Sequence, residues 1–141
     1  MKTKLILLMA FATLTFNGCS EDDDLDSGLF ATWQVTKVEG LYYYNNIATI
    51  PVADNSPTGT VEFNADGTGY QSYSYQFGGN TYPNVGSFSW ESTDDQIIID
   101  RLNDPDMVWE RITKLTNKQV AKYTIVVDGN QKWDYTLTLE K

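Results

Sequence analysis

Nineteen aspartates and glutamates, one cysteine and no histidine bound the chemistry this 141-residue chain can perform. Without histidine there is no Ser-His or Cys-His pair to activate a nucleophile, and the usual imidazole ligands of zinc and copper are missing. The carboxylates are then the remaining acid-base groups. A glycosidase-like pair drawn from Glu62, Glu91 and Glu110 needs carboxyls about 5 to 10 Å apart, one of them buried enough to hold its proton. Each of the three alternates with apolar neighbours and is expected to face water, so no catalytic residue is assigned and the chain is not read as an enzyme. Asp100, Asp104 and Asp106 flank a turn but lack the Asp-x-Asp-x-Asp-Gly order of a calcium loop. They read as solvated turn residues, and no metal or cofactor is expected. Basic side chains are scattered singly from Lys37 to Lys141, whereas phosphate binding wants them clustered. Nucleic acid is therefore not an expected partner.

Rings are the other abundant resource, with nine Tyr, six Phe and four Trp. An aromatic face with a hydroxyl or indole N–H at its edge suits a small amphipathic ligand, a glycan or a partner protein. The candidate binding residues are Tyr42, Tyr43, Tyr44, Tyr73, Tyr75, Trp90, Trp109, Tyr123, Trp133 and Tyr135.

The amino terminus sets where such a surface works. Lys2 and Lys4 precede a nearly uncharged run from Leu5 to Phe16, followed by Gly18 and the single cysteine, Cys19, which is the layout of a secretory signal. A membrane-crossing helix needs about 20 apolar residues, and this run ends at Asn17 and a block of acids. Phe16-Asn17-Gly18-Cys19 resembles the lipobox of bacterial lipoproteins, which implies cleavage before Cys19 and a diacylglyceryl group on its thiol. The other reading is an ordinary secreted protein with a free cysteine. Ser20-Glu21-Asp22-Asp23-Asp24 resembles the acidic tag that sends lipoproteins of the Bacteroidota to the cell surface, and like charges this close also make an extended, mobile tether. The expected organisation is a signal over 1–18, a lipidated cysteine and acidic, disordered tether over 19–27, and one domain over 28–141. The expected location is the outer membrane, lipid-anchored and facing outward. Formal charge is -9; loss of Lys2 and Lys4 makes it -11, and setting aside Glu21, Asp22, Asp23, Asp24 and Asp26 leaves -6 for the domain.

From Thr32 onward, period-two alternation recurs between turn signals, and no window carries helical spacing. Eight strands are expected. The first is Thr32–Val38, extendable to Tyr44, and the second is Thr58–Phe63, with Val61 and Phe63 inward. Asp66-Gly67 supplies a tight turn into Thr68–Phe77, where Tyr73, Tyr75 and Phe77 share a face and Tyr70 falls on the other parity, suggesting a bulge between Tyr70 and Tyr73. Val85–Glu91 turns Phe88 and Trp90 inward, and Gln96–Arg101 does so for Ile97 and Ile99. Met107–Ile112 presents Met107, Trp109 and Arg111 together. Gln119–Val127 aligns Ala121, Tyr123, Ile125 and Val127, and the last strand aligns Trp133, Tyr135, Leu137 and Leu139. Hairpin-linked strands with one apolar face each are best satisfied by an all-β, eight-stranded antiparallel up-and-down barrel, because closure leaves no unpaired edge. Eight strands enclose either packed side chains or one small ligand.

Leu29-Phe30-Ala31-Thr32-Trp33, Val61 to Gly69, Phe88-Ser89-Trp90 and the closing strand resemble the lipocalin-like domain of Bacteroidota lipoproteins. That resemblance implies a calycin-type barrel at the envelope. It also implies that Trp33 plugs the closed end, with Ala31 in the place of the lipocalin glycine and Arg111 as the cation stacked on the ring. The longest connection, Gly40 to Pro57, reads either as a lid over the mouth or as a strand extension (Leu41–Tyr44) with Ile47–Val52 filling one barrel end. Two functions follow from different classes. One is a small apolar or amphipathic ligand bound at the barrel mouth, bordered by Tyr42–Val52 and Gly78–Tyr82. The other is a filled barrel that displays exposed aromatics to a protein or glycan.

Overall fold

A computed structural model describes residues 28–141. The signal, Cys19 and the acidic tether lie outside the described residues. Within them the chain makes ten antiparallel strands: β1 (Ala31–Tyr44), β2 (Ile47–Ala48), β3 (Val52–Asp54), β4 (Thr58–Phe63), β5 (Thr68–Phe77), β6 (Asn80–Ser92), β7 (Gln96–Asp100), β8 (Met107–Leu115), β9 (Lys118–Asp128) and β10 (Gln131–Glu140). Each pairs with the next from β4 to β10. β10 then returns along β1 from Glu140 opposite Gln34 to Gln131 opposite Tyr44, closing an eight-stranded barrel.

The two extra strands come from the long connection. β1 is too long for β4, which pairs only with Ala31–Gln34. The rest of its edge is covered by β3 against Val38–Gly40 and by β2 against Tyr43–Tyr44. The extension of β1 to Tyr44 is as expected, but of the run Ile47–Val52 expected to fill the barrel end Val52 packs against the core while the isoleucines do not. Ile47 and Ile50 stand in solvent, because β2 runs past the rim rather than across it. Asn45 and Asn46 hold positive φ (49° and 61°) in the turn, a conformation asparagine tolerates better than most residues. Asp54 ties β3 to the wall by accepting from the Gln76 amide at 2.8 Å.

Alternation writes the core. On β5 the inward places are Gly69, Gln71, Tyr73, Tyr75 and Phe77, all buried. The expected bulge between Tyr70 and Tyr73 is absent, since the ladders to β4 and β6 run without a shift. Parity holds because a glycine and a glutamine occupy inward places. A Cβ on Gly69 would lie 2.2 Å from Phe88 Cε2, so the phenyl ring fills the space that the missing side chain leaves. Bulges sit elsewhere, at Val35/Lys37, Arg111/Thr113 and Gln131/Lys132. The first switches the inward parity of β1 from Trp33 and Val35 to Val38 and Gly40.

β6 begins five residues earlier than the alternation suggested, directly after the turn at Gly78 (φ 57°) and Gly79 (φ 82°). Pro83 hides this start in the sequence, since proline is tolerated in strands mainly at an edge. An edge is where it lies. β7 pairs only with Ser89–Ser92, so Asn80–Phe88 is laddered on the β5 side alone. Across the same region β8 pairs with β9 only from Glu110 onward, which leaves Tyr123–Asp128 laddered to β10 alone. The barrel is closed as a circuit, but one side of its upper half is a seam spanned by the turn at 101–106.

Candidate functional site

The lower end is sealed by packing. Trp33 is fully buried and donates from Nε1 to the Leu29 carbonyl at 2.9 Å. Trp90 also belongs here: its ring meets Phe63 at 5.2 Å and Phe30 at 5.8 Å, and its Nε1 donates to Thr68 O. Arg111 reaches the same end, buried, donating to Thr93 O at 3.4 Å and to Gln119 Oε1 at 3.3 Å. A cation seated over the Trp33 ring is Lys141, with Nζ 4.5 Å from the centroid. Ala31 does not take positive φ, so it fits the place of a glycine without strain.

Above this plug the interior is crossed by tyrosines. β5 and β9 face each other across the barrel, and the hydroxyls of Tyr73 and Tyr123 approach each other between them. Tyr75 and Tyr135 pair in the same way, their rings edge to face at 6.1 Å. Burial pushes all four phenols up, Tyr73 to about 12. Rings extend the partition sideways: Trp109 stacks on Tyr123 (5.5 Å), Tyr123 on Tyr135 (5.1 Å), Tyr135 on Trp133 (5.7 Å) and Trp133 on Phe77 (6.2 Å). Gly40 makes room for the last pair, since a Cβ there would lie 2.8 Å from Phe77 and 3.1 Å from Trp133. The middle of the barrel is thus a packed diaphragm rather than an empty tube.

At the open end the three consecutive tyrosines part company, as a strand requires. Tyr42 turns toward Trp133 (5.2 Å) and donates to Gln131 Oε1 at 2.6 Å. Tyr43 lies on the outer face with Lys132 Nζ 4.5 Å above its ring, and Tyr44 is exposed at the rim. Tyr82, from the opposite hairpin, stacks on Tyr75 at 5.3 Å. The ten candidate ring residues therefore divide. Tyr42, Tyr73, Tyr75, Trp109, Tyr123, Trp133 and Tyr135 line one interior, Trp90 lies below it at the closed end, and Tyr43 and Tyr44 lie outside or on the rim.

The carboxylates Glu62, Glu91 and Glu110 take the outward parity of their strands. Among the described residues no cluster of three potential metal ligands occurs. A groove of about 920 Å³ is on the outside of β8, β9, β10 and β1, where Leu41, Tyr43, Pro51, Val108 and Ile112 alternate with Glu39, Glu110 and Asp134.

Alternation alone missed the polar atoms of the interior. Gln71 is 5% exposed, and its Oε1 has no hydrogen-bond partner among the described residues. The same holds for Arg101 Nε and Trp109 Nε1. The signal was present in the sequence as parity: Gln71 is two residues before Tyr73, and Arg101 two after Ile99.

No family model matches the sequence, and no curated protein matches it. Among solved structures the chain is similar in fold to a bovine odorant-binding protein, a deswapped triple mutant, at 15% identity over 82% of this chain and 74% of that one, with a TM-score of 0.50. A second structure of bovine odorant-binding protein, in complex with its natural ligand, gives 15% identity, 82% and 72% coverage and a TM-score of 0.50. A bovine lipocalin allergen gives 12% identity, 82% and 73% coverage and a TM-score of 0.48. The fold is a lipocalin-like β-barrel.

Proposed function

We propose that this chain is a cell-envelope lipoprotein whose barrel binds a small amphipathic ligand in its upper half. The observation that carries the binding reading is the group of partly exposed rings at the open end, Tyr42 against Trp133 and Tyr82 against Tyr75, beside an incompletely laddered side. One of its fold neighbours was solved with a natural ligand, and the likeness extends ligand binding to this chain as a proposal. Thermal melts against hydrophobic acids, alcohols and hydrocarbons test it. A rise in Tm with at least one class is expected; melts unmoved by every class reject the reading. The envelope assignment is supported by the lipobox-like run ending at Cys19 and the acids after it. Intact mass of the native protein from the membrane fraction should show cleavage before Cys19 and added acyl mass, and Cys19→Ala should move the protein to the soluble fraction. An unmodified thiol overturns that part alone.

A second reading is favoured by the outer groove. Its apolar strip between carboxylates suits a basic, amphipathic protein segment. The alternation on β1 assigns this surface to Tyr43 rather than to Tyr42 or Tyr44, so Tyr43→Ala should release such a partner while Tyr42→Ala should not. Equal retention by both variants excludes it.

A further inference from the structure

Charge is unevenly spread along this barrel. Residues 40–53 and 68–90 contain no Asp, Glu, Lys or Arg, in a chain where 21% of residues are charged. Those stretches supply two of the three tips at the open end, residues 44–51 and 77–83, and the third is the β9–β10 turn, residues 126–131. Across the three tips the one charged residue is Asp128, whose carboxylate accepts from Asn130 N at 2.8 Å and from Gln131 Nε2 at 2.7 Å. The opposite end carries Asp66, Asp94, Asp95, Lys114, Lys118 and Lys141 in its turns and strand ends. An anionic ligand brought to the open end would shed water and meet no cation in these tips.

What the tips offer instead is rings and amides. Tyr44 is 53% exposed and Tyr82 41%. A row of rings crosses the open end between β1 and β6: Tyr42 meets Trp133 at 5.2 Å, Trp133 meets Phe77 at 6.2 Å and Phe77 meets Tyr82 at 6.1 Å. Tyr42 and Trp133 are partly exposed, and Asn45, Asn46, Asn80 and Asn130 are exposed on the tips beside them. Two of the tips are braced together, Asn45 N donating to Asn130 O at 2.8 Å and the Tyr42 hydroxyl to Gln131 Oε1 at 2.6 Å. Tyrosine among asparagine and glycine is the composition of antibody binding loops, where rigid rings give contact area and short amides give adaptable hydrogen bonds. A pyranose ring matches such a surface. Its C–H face can lie on an aromatic face, and its hydroxyls are neutral donors and acceptors at once.

We propose that the open end is a docking surface for a neutral oligosaccharide, laid across the rings between Tyr44 and Tyr82. The sugar rests on the tips and needs no interior space, so this inference stands apart from the ligand-binding reading above. Ile47, Ile50, Val126 and Val127 add exposed apolar area to the same tips. An anionic lipid surface would draw on Lys or Arg there, and the tips contain neither.

The test is calorimetric titration of the full chain with cellopentaose, maltohexaose, mannohexaose and chitohexaose, and with hexagalacturonate as the anionic comparison. At least one neutral sugar should bind, and hexagalacturonate should bind on the order of tenfold more weakly or not at all. Tyr44→Ala and Tyr82→Ala should each weaken the neutral sugar on the order of tenfold, while Tyr82→Phe keeps most of the affinity. Tyr70→Ala removes a ring equally exposed, at 43%, but on the outer face of β5, and should change nothing. Asn80→Lys should raise the binding of hexagalacturonate. Binding of none of the neutral sugars overturns the proposal, and so does equal binding of the anion or an equal loss in Tyr70→Ala. Vesicles of phosphatidylethanolamine and phosphatidylglycerol form the last arm: binding to them that depends on Tyr44 and Tyr82, in place of sugar binding, would assign the tips to a lipid surface instead. Sugars that fail while an apolar compound raises Tm reject this inference alone, and sugars that bind while every melt stays flat reject only the apolar-ligand reading.

Discussion

At the scale of single residues, the four interior phenols make the sharpest prediction. Burial raises each pKa above its ordinary value near 10, so the folded state holds protons that the unfolded chain gives up. Their contribution to stability is complete below pH about 10 and declines as pH rises above it, Tyr73 being pushed up to about 12 and the other three raised by burial as well. Tyrosinate absorbance should therefore rise in two stages, the exposed phenols first and the interior four only as the barrel unfolds. A single stage with all nine tyrosines would refute the diaphragm. Glycines give a second contrast. Gly59 has φ 111°, and a Cβ there would lie 2.0 Å from Ser72 O, so Gly59→Ala should cost about 2 kcal/mol or more in chemical denaturation, while Gly86→Ala should change stability by less than about 1 kcal/mol. At the closed end, Trp33→Ala should cost about 3–5 kcal/mol by leaving a cavity, and Lys141→Met only about 0.5–1 kcal/mol.

At the scale of elements, the seam predicts uneven protection. Backbone amides of Asn80–Phe88 that point away from β5 should exchange with solvent far faster than those bonded to it, and those of Tyr123–Asp128 facing away from β10 likewise. Uniform slow exchange along β6 would mean a laced wall. The same region marks where the sequence was hard to read. β8, β9 and β10 were legible because their inward rows carry large apolar residues at every second place. β6 was legible only from Val85, because Pro83 and the polar Asn84 mask a strand paired on one side. β5 was misread at Tyr70 because its inward row contains Gly69 and Gln71, residue types a pattern of apolar alternation assigns to the outside.

At the scale of the whole molecule, the barrel and its inward rings followed from strand periodicity and the plugged end from the family resemblance, while the tyrosine diaphragm above the plug followed from neither. The diaphragm depends on cross-barrel distances between residues far apart in sequence, such as Tyr73 and Tyr123, which no local pattern contains. The chain enters the domain at Gly28, whose carbonyl accepts from Lys141 Nζ at 3.3 Å beside the Trp33 plug. Under the proposed anchoring at Cys19, the plug faces the membrane and the open end faces away from it. A reporter placed at Asn80 should then be accessible to a membrane-impermeant reagent, and one at Thr116 more shielded, in a membrane preparation with that leaflet outward. Equal labelling would count against this orientation.

A slit along half the height of a cylinder removes its hoop stiffness there, so the wall can gape without breaking a single backbone bond. Pressure or a pulling force applied at Asp128 should part this protein at that slit first, and under the proposed ligand binding a guest should leave by the route along which it tears.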